Sequence, residues 1–191
     1  MIKTVVRTFL VCVAISCIGL GAAVASPTIA SEYEVKAAFL YNFLKFVEWP
    51  PKVYPDQSSP IIIGILGDDP FLDSSGKVHY LEQAVAEKII NNRKIVIQRS
   101  DRIANLKNCQ IVFANKAERN RVKELLGDLN GMSILTVGES ENFCQQGGAI
   151  NFVMQSEKVR FEINVEAAEK AGLKISSKLL NVAKIVKTQS K

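Results

Sequence analysis

The chain has 191 residues, 24 Lys+Arg against 19 Asp+Glu, a net charge of +5 and a single histidine. Its basic residues form only small clusters, such as Asn92-Arg93-Lys94, with no basic stripe interleaved with aromatics, which argues against a nucleic-acid partner. The length suits one domain able to bury one good core.

In chain order, the first segment is a targeting signal. Lys3 and Arg7 make a short basic start, Phe9 to Val24 is uncharged and apolar, and Ala23-Val24-Ala25 offers a small-x-small cleavage pattern. Residues 1–25 are expected to be a signal peptide and 26–191 a single mature domain in the periplasm. Two rivals are weaker. The apolar run is shorter than the roughly 20 residues of a membrane span, and Ile15-Ser16-Cys17 fits a lipidation site poorly. Cleavage removes Lys3 and Arg7, so 22 of the 24 basic residues remain against 19 acidic ones, a net +3. Outside the cytosol there is no ATP or NADH pool, and thiols tend to be oxidised.

Glu32 to Val47 is predicted as a helix, with Ser31 as N-cap and Glu34 completing a capping box. Val35, Ala38, Phe39, Phe43, Phe46 and Val47 follow the helical period, and Leu40, Tyr41 and Leu44 add apolar surface elsewhere. Such a helix is either buried on most sides or keeps one face for a partner. Trp49-Pro50-Pro51 ends it. Ile61 to Leu66 is a β-branched run expected as a central strand covered on both faces. Gly67-Asp68-Asp69-Pro70 predicts a strand-to-helix turn with Asp69 as N-cap. A helix near Tyr80 to Glu87 follows. Strands are expected at Lys94 to Gln98, Ile111 to Ala114 and Ser133 to Val137, with a helix at Glu118 to Leu126 between the last two.

Short gaps between alternating strands and helices predict an α/β fold, a mostly parallel central sheet with helices on both faces. Gly148 to Met154 and Val159 to Asn164 are separated by four polar residues, which predicts a C-terminal antiparallel hairpin. Helices at Val165 to Ala171 and Ser176 to Val186 close the chain. Of the four cysteines, the mature part keeps Cys109, just before the third strand, and Cys144, well after the fourth. Parallel order starts these sulfurs from opposite sheet ends, farther apart than the roughly 7 Å that a disulfide tolerates between Cα atoms. Two separate thiols are expected unless the return loop closes that gap.

Catalytic patterns are missing. One histidine, His79, gives no triad and no metal cluster, and there is no Gly-x-Ser-x-Gly. Neither a cofactor nor a metal is expected, and the chain is not expected to be an enzyme. Asp68 and Asp69 sit at the carboxyl end of the first long strand, where open α/β sheets bind ligands, although Pro70 favours the simpler reading of a helix cap. Glu162 and Asn164 alternate with Phe161 and Ile163, so one face of their strand is polar, either solvated or lining a small-ligand site. Gly147-Gly148 precedes a strand, which suits a bend or a close backbone approach rather than a phosphate loop. Phe39, Tyr41 and Trp49 are the candidate contact residues for a protein partner, against the alternative that they are core.

Several segments together resemble the YfiR family of periplasmic regulators: Glu32 to Phe43 (EYEVKAAFLYNF), Phe46 to Pro50 (FVEWP), Ile63 to Phe71 (IGILGDDPF), Gly147 to Phe152 (GGAINF), Arg160 to Asn164 (RFEIN) and Ala171 to Leu180 (AGLKISSKLL). The resemblance spans nearly the whole mature chain in order. It implies an α/β sandwich without catalysis that inhibits a membrane signalling enzyme such as the diguanylate cyclase YfiN, or acts on a histidine kinase. It also implies an outer-membrane lipoprotein as a second partner, homodimers, and redox-sensitive cysteine pairs. A periplasmic small-ligand-binding protein is the alternative reading.

Overall fold

The computed structural model describes residues 29–73, 75–77 and 79–189. The predicted signal segment, the cut after Ala25 and the single-domain boundary at 26 lie outside them. The elements are α1 (Ile29–Phe46), β1 (Val47–Glu48), β2 (Ile61–Leu66), α2 (Tyr80–Val85), β3 (Ile89–Ile90) and β4 (Arg93–Ser100). They continue with β5 (Ile111–Ala114), α3 (Val122–Asp128), β6 (Leu135–Gly138), β7 (Ile150–Gln155), β8 (Lys158–Ile163), α4 (Val165–Lys170), β9 (Lys174–Ile175), α5 (Ser177–Leu180) and β10 (Lys184–Ile185).

An eight-stranded sheet runs in the order β10-β8-β7-β6-β5-β2-β4-β3, and β1 pairs with β9 in a separate two-stranded ribbon. The strands β4, β2, β5, β6 and β7 are mutually parallel. Toward the edges β3 pairs with β4 and β8 with β7 in antiparallel fashion, and the edge strand β10 pairs with β8 in parallel. Strands β2 and β5 are apolar throughout because both faces are covered, as parallel strands require. One face carries α1 and the larger core, including Phe43, Phe71, Phe113 and Phe161. The other carries α3 and a second core, including Val122, Leu125, Cys109 and Phe143.

The Gly147-Gly148 reading acquires a cause here. A Cβ on Gly148 would lie 2.1 Å from the Phe143 ring, and one on Gly138 would lie 2.5 Å from it. The buried ring therefore rests against the backbone of β6 and of the loop that leads into β7, and both must stay bare.

Four expectations are corrected. Helix α1 begins at Ile29, so Ser31 lies inside it and is not its N-cap. Its buried stripe is Lys36, Ala37, Leu40, Phe43 and Leu44, continued by Val47 in β1, whereas Val35 and Ala38, expected inside, are exposed. No helix follows Pro70, because Phe71 is drawn into the core against Phe113 (5.2 Å between centroids) and Leu72 bridges to His79. Asp69 still accepts a hydrogen bond from the Phe71 N–H (2.8 Å), capping a turn in place of a helix. Finally, the predicted helix from Ser176 to Val186 stops at Leu180. Lys184 and Ile185 pair with β8 instead, and the Val186 N–H donates to the Ile163 carbonyl (2.9 Å), because an unpaired strand edge outweighs helical periodicity.

Candidate functional site

Strand order reverses at β2. The chain leaves β2 for β4 on one side and then crosses to β5 on the other, so the β2/β5 carboxyl ends form the switch point where open α/β sheets hold ligands. Here the protein bridges its own crevice. Asn115, just past β5, donates from Nδ2 to the Asp68 carbonyl (2.7 Å) and accepts from the Ala117 N–H (2.8 Å).

One strand further along the same edge is a polar cleft of about 370 Å³. Glu139 follows β6 directly, and α1 brings Lys36 over it. Lys36 Nζ is ion-paired with Glu139 and with Glu32 one turn earlier. The Lys36 and Glu139 side chains are only 4% and 5% exposed. Tyr33 donates its hydroxyl to Glu139 Oε1 (2.8 Å), the Lys116 N–H donates to the same oxygen (2.8 Å), and the ammonium lies 4.4 Å from the Tyr33 ring centre. Burial, then the Glu139 charge, raises the Tyr33 pKa well above the usual phenol range. The arrangement is a largely buried charge network tying α1 to the carboxyl edge of the sheet. Sequence reasoning missed it, although the signal was there: Lys36 falls on the same helical stripe as Leu40, Phe43 and Val47, a charge where the period demands an apolar residue.

The opposite edge carries a second, larger cleft of about 910 Å³, which Tyr41 and Trp49 line together with Lys45, Tyr54 and Lys174. Tyr41 is half-buried with Lys45 Nζ 5.5 Å above its ring. Trp49 is half-buried and its Nε1–H donates to the Gln110 carbonyl (3.1 Å), just before β5. Phe39 is absent from this cleft. It points elsewhere, against Phe161, Phe152 and Phe43 at 5.1, 6.1 and 6.2 Å. The structure thus unites Tyr41 with Trp49 and separates Phe39 from both.

The predicted ligand residues are not united. Asp68 and Asp69 end β2, while Glu162 and Asn164 lie at the end of β8, with β5, β6 and β7 between. Asp69 is bonded to Arg99 (2.6 Å). Glu162 accepts from Lys184 Nζ (2.7 Å), and that contact raises the Lys184 pKa. Asn164 is fully buried. It caps α4 through Ala167 N–H (3.0 Å) and donates to the Cys144 carbonyl and Thr188 Oγ1 (2.8 Å each). Cys109 and Cys144 are separate free thiols, each buried, and burial pushes each pKa up to about 12. Among the described residues no group of three His, Cys, Asp or Glu side chains is placed to hold a metal, and no helix is long and apolar enough to cross a membrane.

Fold and site together define an open α/β domain, mostly parallel, whose first helix spans the sheet between two edge clefts. The chain belongs to the YfiR/HmsC-like family, whose model matches residues 33–184, and that family is one of regulatory proteins. One similar solved structure is a conserved domain protein from Vibrio cholerae O1 biovar El Tor, with a TM-score of 0.51 and 12% identity over 81% of this chain. The chain covers 60% of that protein's length, and the likeness is one of fold. Among curated proteins none matches the chain significantly.

Proposed function

We propose that this chain is a non-enzymatic periplasmic regulator that inhibits a membrane-bound signalling enzyme, of the diguanylate cyclase type, by protein–protein contact. Membership of the YfiR/HmsC-like family supports the regulatory role. The observation that carries the contact surface is the pairing of half-buried Tyr41 and Trp49 in one cleft with Lys45 and Lys174 at its walls. Aromatic side chains of this kind dominate binding energy when a partner covers them. Phe39 belongs with the core in this reading, and Tyr41 is the principal anchor. Residues 1–25 act as the signal peptide and 26–191 as the regulator domain.

The test is co-purification from membranes of the source organism with wild-type and Tyr41→Ala protein, alongside cellular cyclic-di-GMP. The variant is expected to remain folded, to lose an inner-membrane partner, and to raise cyclic-di-GMP. A folded Tyr41→Ala variant that keeps its partner and leaves the nucleotide unchanged overturns this contact surface.

A further inference from the structure

Asn130 and Gly131 lie in the turn that leads from α3 toward β6. Asn130 is the only asparagine of the chain that a glycine follows; every other one precedes a residue with a Cβ. Both residues are exposed, and both line a cleft of about 240 Å³. Among the described residues the Asn130 side chain makes no hydrogen bond or ion pair, and the Gly131 N–H has no acceptor. Gly131 sits at φ +74°, and nothing lies within 4 Å of where its Cβ would be. The backbone on either side is held: the Asn130 N–H donates to the Gly127 carbonyl (3.3 Å) and the Met132 N–H to the Leu129 carbonyl (3.1 Å).

These are the conditions for an intramolecular acyl transfer. The side-chain amide carbon of an asparagine lies within reach of the next backbone nitrogen, and attack closes a five-membered ring. Hydroxide removes the Gly131 amide proton, and the nitrogen bonds to Asn130 Cγ. The Cγ–Nδ2 bond breaks, and the nitrogen leaves as ammonia with a proton from water. A second water opens the succinimide at either carbonyl, giving aspartate or isoaspartate. A Cβ on the following residue crowds the ring closure, and glycine has none. A side chain or amide already bonded elsewhere would hold the reacting atoms apart, and here both are free. The two products differ in what they do to the fold. Aspartate only replaces a neutral amide with a carboxylate. Isoaspartate routes the main chain through the former side chain and adds one backbone carbon between Leu129 and Met132. The hydrogen bond from Met132 to Leu129 spans that link, and Leu129 is buried in the core beneath α3.

We propose that Asn130 is a self-modifying site, which converts through a succinimide with Gly131 to isoaspartate and aspartate, and that the isoaspartate form loosens the turn that seats α3. The site shares no residue with the Tyr41 cleft or the Lys36 network, so it stands or falls separately from the partner contact.

The experiment incubates the folded mature chain at pH 8.5 and 37 °C and follows every asparagine-containing peptide by mass spectrometry, with isoaspartate read by an isoaspartyl methyltransferase. Asn130 is expected to convert at least tenfold faster than any other asparagine, to give both products, and to slow at pH 6, where hydroxide is scarce. Asn130→Gln, which would need a larger ring, is expected to fold and to accept no methyl group; Asn130→Ser replaces it if it does not fold. The isoaspartate form, resolved by chromatography, is expected to melt below the Asn130→Asp variant, which carries the charge without the longer chain. Three results overturn the proposal: an Asn130 that stays an amide in the folded chain while the urea-unfolded chain converts, another asparagine converting as fast, or an isoaspartate form that melts level with Asn130→Asp.

Discussion

Lys36 and Glu139, 103 positions apart in the chain, form an ion pair that water barely reaches. Removing one member of such a pair strands a buried charge, which typically costs about 3–5 kcal/mol, whereas replacing both with apolar groups is often neutral. Lys36→Met and Glu139→Leu are each expected to lower unfolding stability by about that amount, and the double variant to recover most of it. Urea denaturation of the three proteins is the check. Additive losses in the double variant would show that the two residues do not act as a pair.

Phe39 and Tyr41, two positions apart on α1, are expected to behave oppositely. Phe39→Ala opens the ring cluster with Phe43, Phe152 and Phe161, a loss of about 3 kcal/mol or more. Tyr41→Ala, half-buried at a cleft wall, is expected to cost well under half as much. Thermal unfolding ranks them directly. An equal loss at both positions would place Tyr41 in the core and remove it as a contact residue.

Gly148→Ala is expected to destabilise the fold by about 1–3 kcal/mol, because the new methyl meets the Phe143 ring where a side chain has no room. Shrinking the ring relieves the conflict, so Phe143→Leu should partly rescue Gly148→Ala even though it is itself destabilising. Chemical denaturation of the single and double variants tests this, and absence of any coupling would contradict the close approach.

The thiols define an alkaline limit. Burial raises Cys109 and Cys144 from 9.0 to about 12 in the folded chain. Between these values the unfolded chain has lost thiol protons that the folded chain still holds, so stability falls as pH rises above 9, by roughly 1.4 kcal/mol per pH unit for each thiol. Below that window their contribution is complete. A Cys109→Ala/Cys144→Ala variant should show a flatter alkaline stability profile than wild type. Both native thiols should resist a thiol-specific reagent at pH 8 and react on unfolding. Rapid native labelling at either position would refute their burial.

Strands β2 and β5 were legible to the residue, because a run such as Ile61 to Leu66 suits only a strand covered on both faces. The hairpin of β7 and β8 was legible for the same kind of reason, although its turn is tighter than four residues: Ser156 and Glu157 alone make it, both at positive φ. What escaped was everything decided by distant partners. Lys184 and Ile185 look helical by local period and become a strand only because β8 offers an edge. The buried stripe of α1 lies about a quarter turn from the predicted one, because it includes Lys36, whose partner Glu139 lies beyond the reach of any local pattern. The carboxyl-edge cleft escaped for the same reason, since it forms only where Lys36 meets Glu139.

Helix α1 is fastened at both borders of the sheet. Lys36 ties it to Glu139 at the carboxyl border, and three residues past its end the Trp49 indole ties the chain to Gln110 at the amino border. Between Lys36 and Phe46 the rod is about 15 Å long at 1.5 Å per residue. A beam pinned at two ends does not creep. Sliding it along its axis strains both pins at once, so small displacements are resisted and a large one must break the two together. The helix is therefore built to hold one seat or to leave it, with no stable stop between.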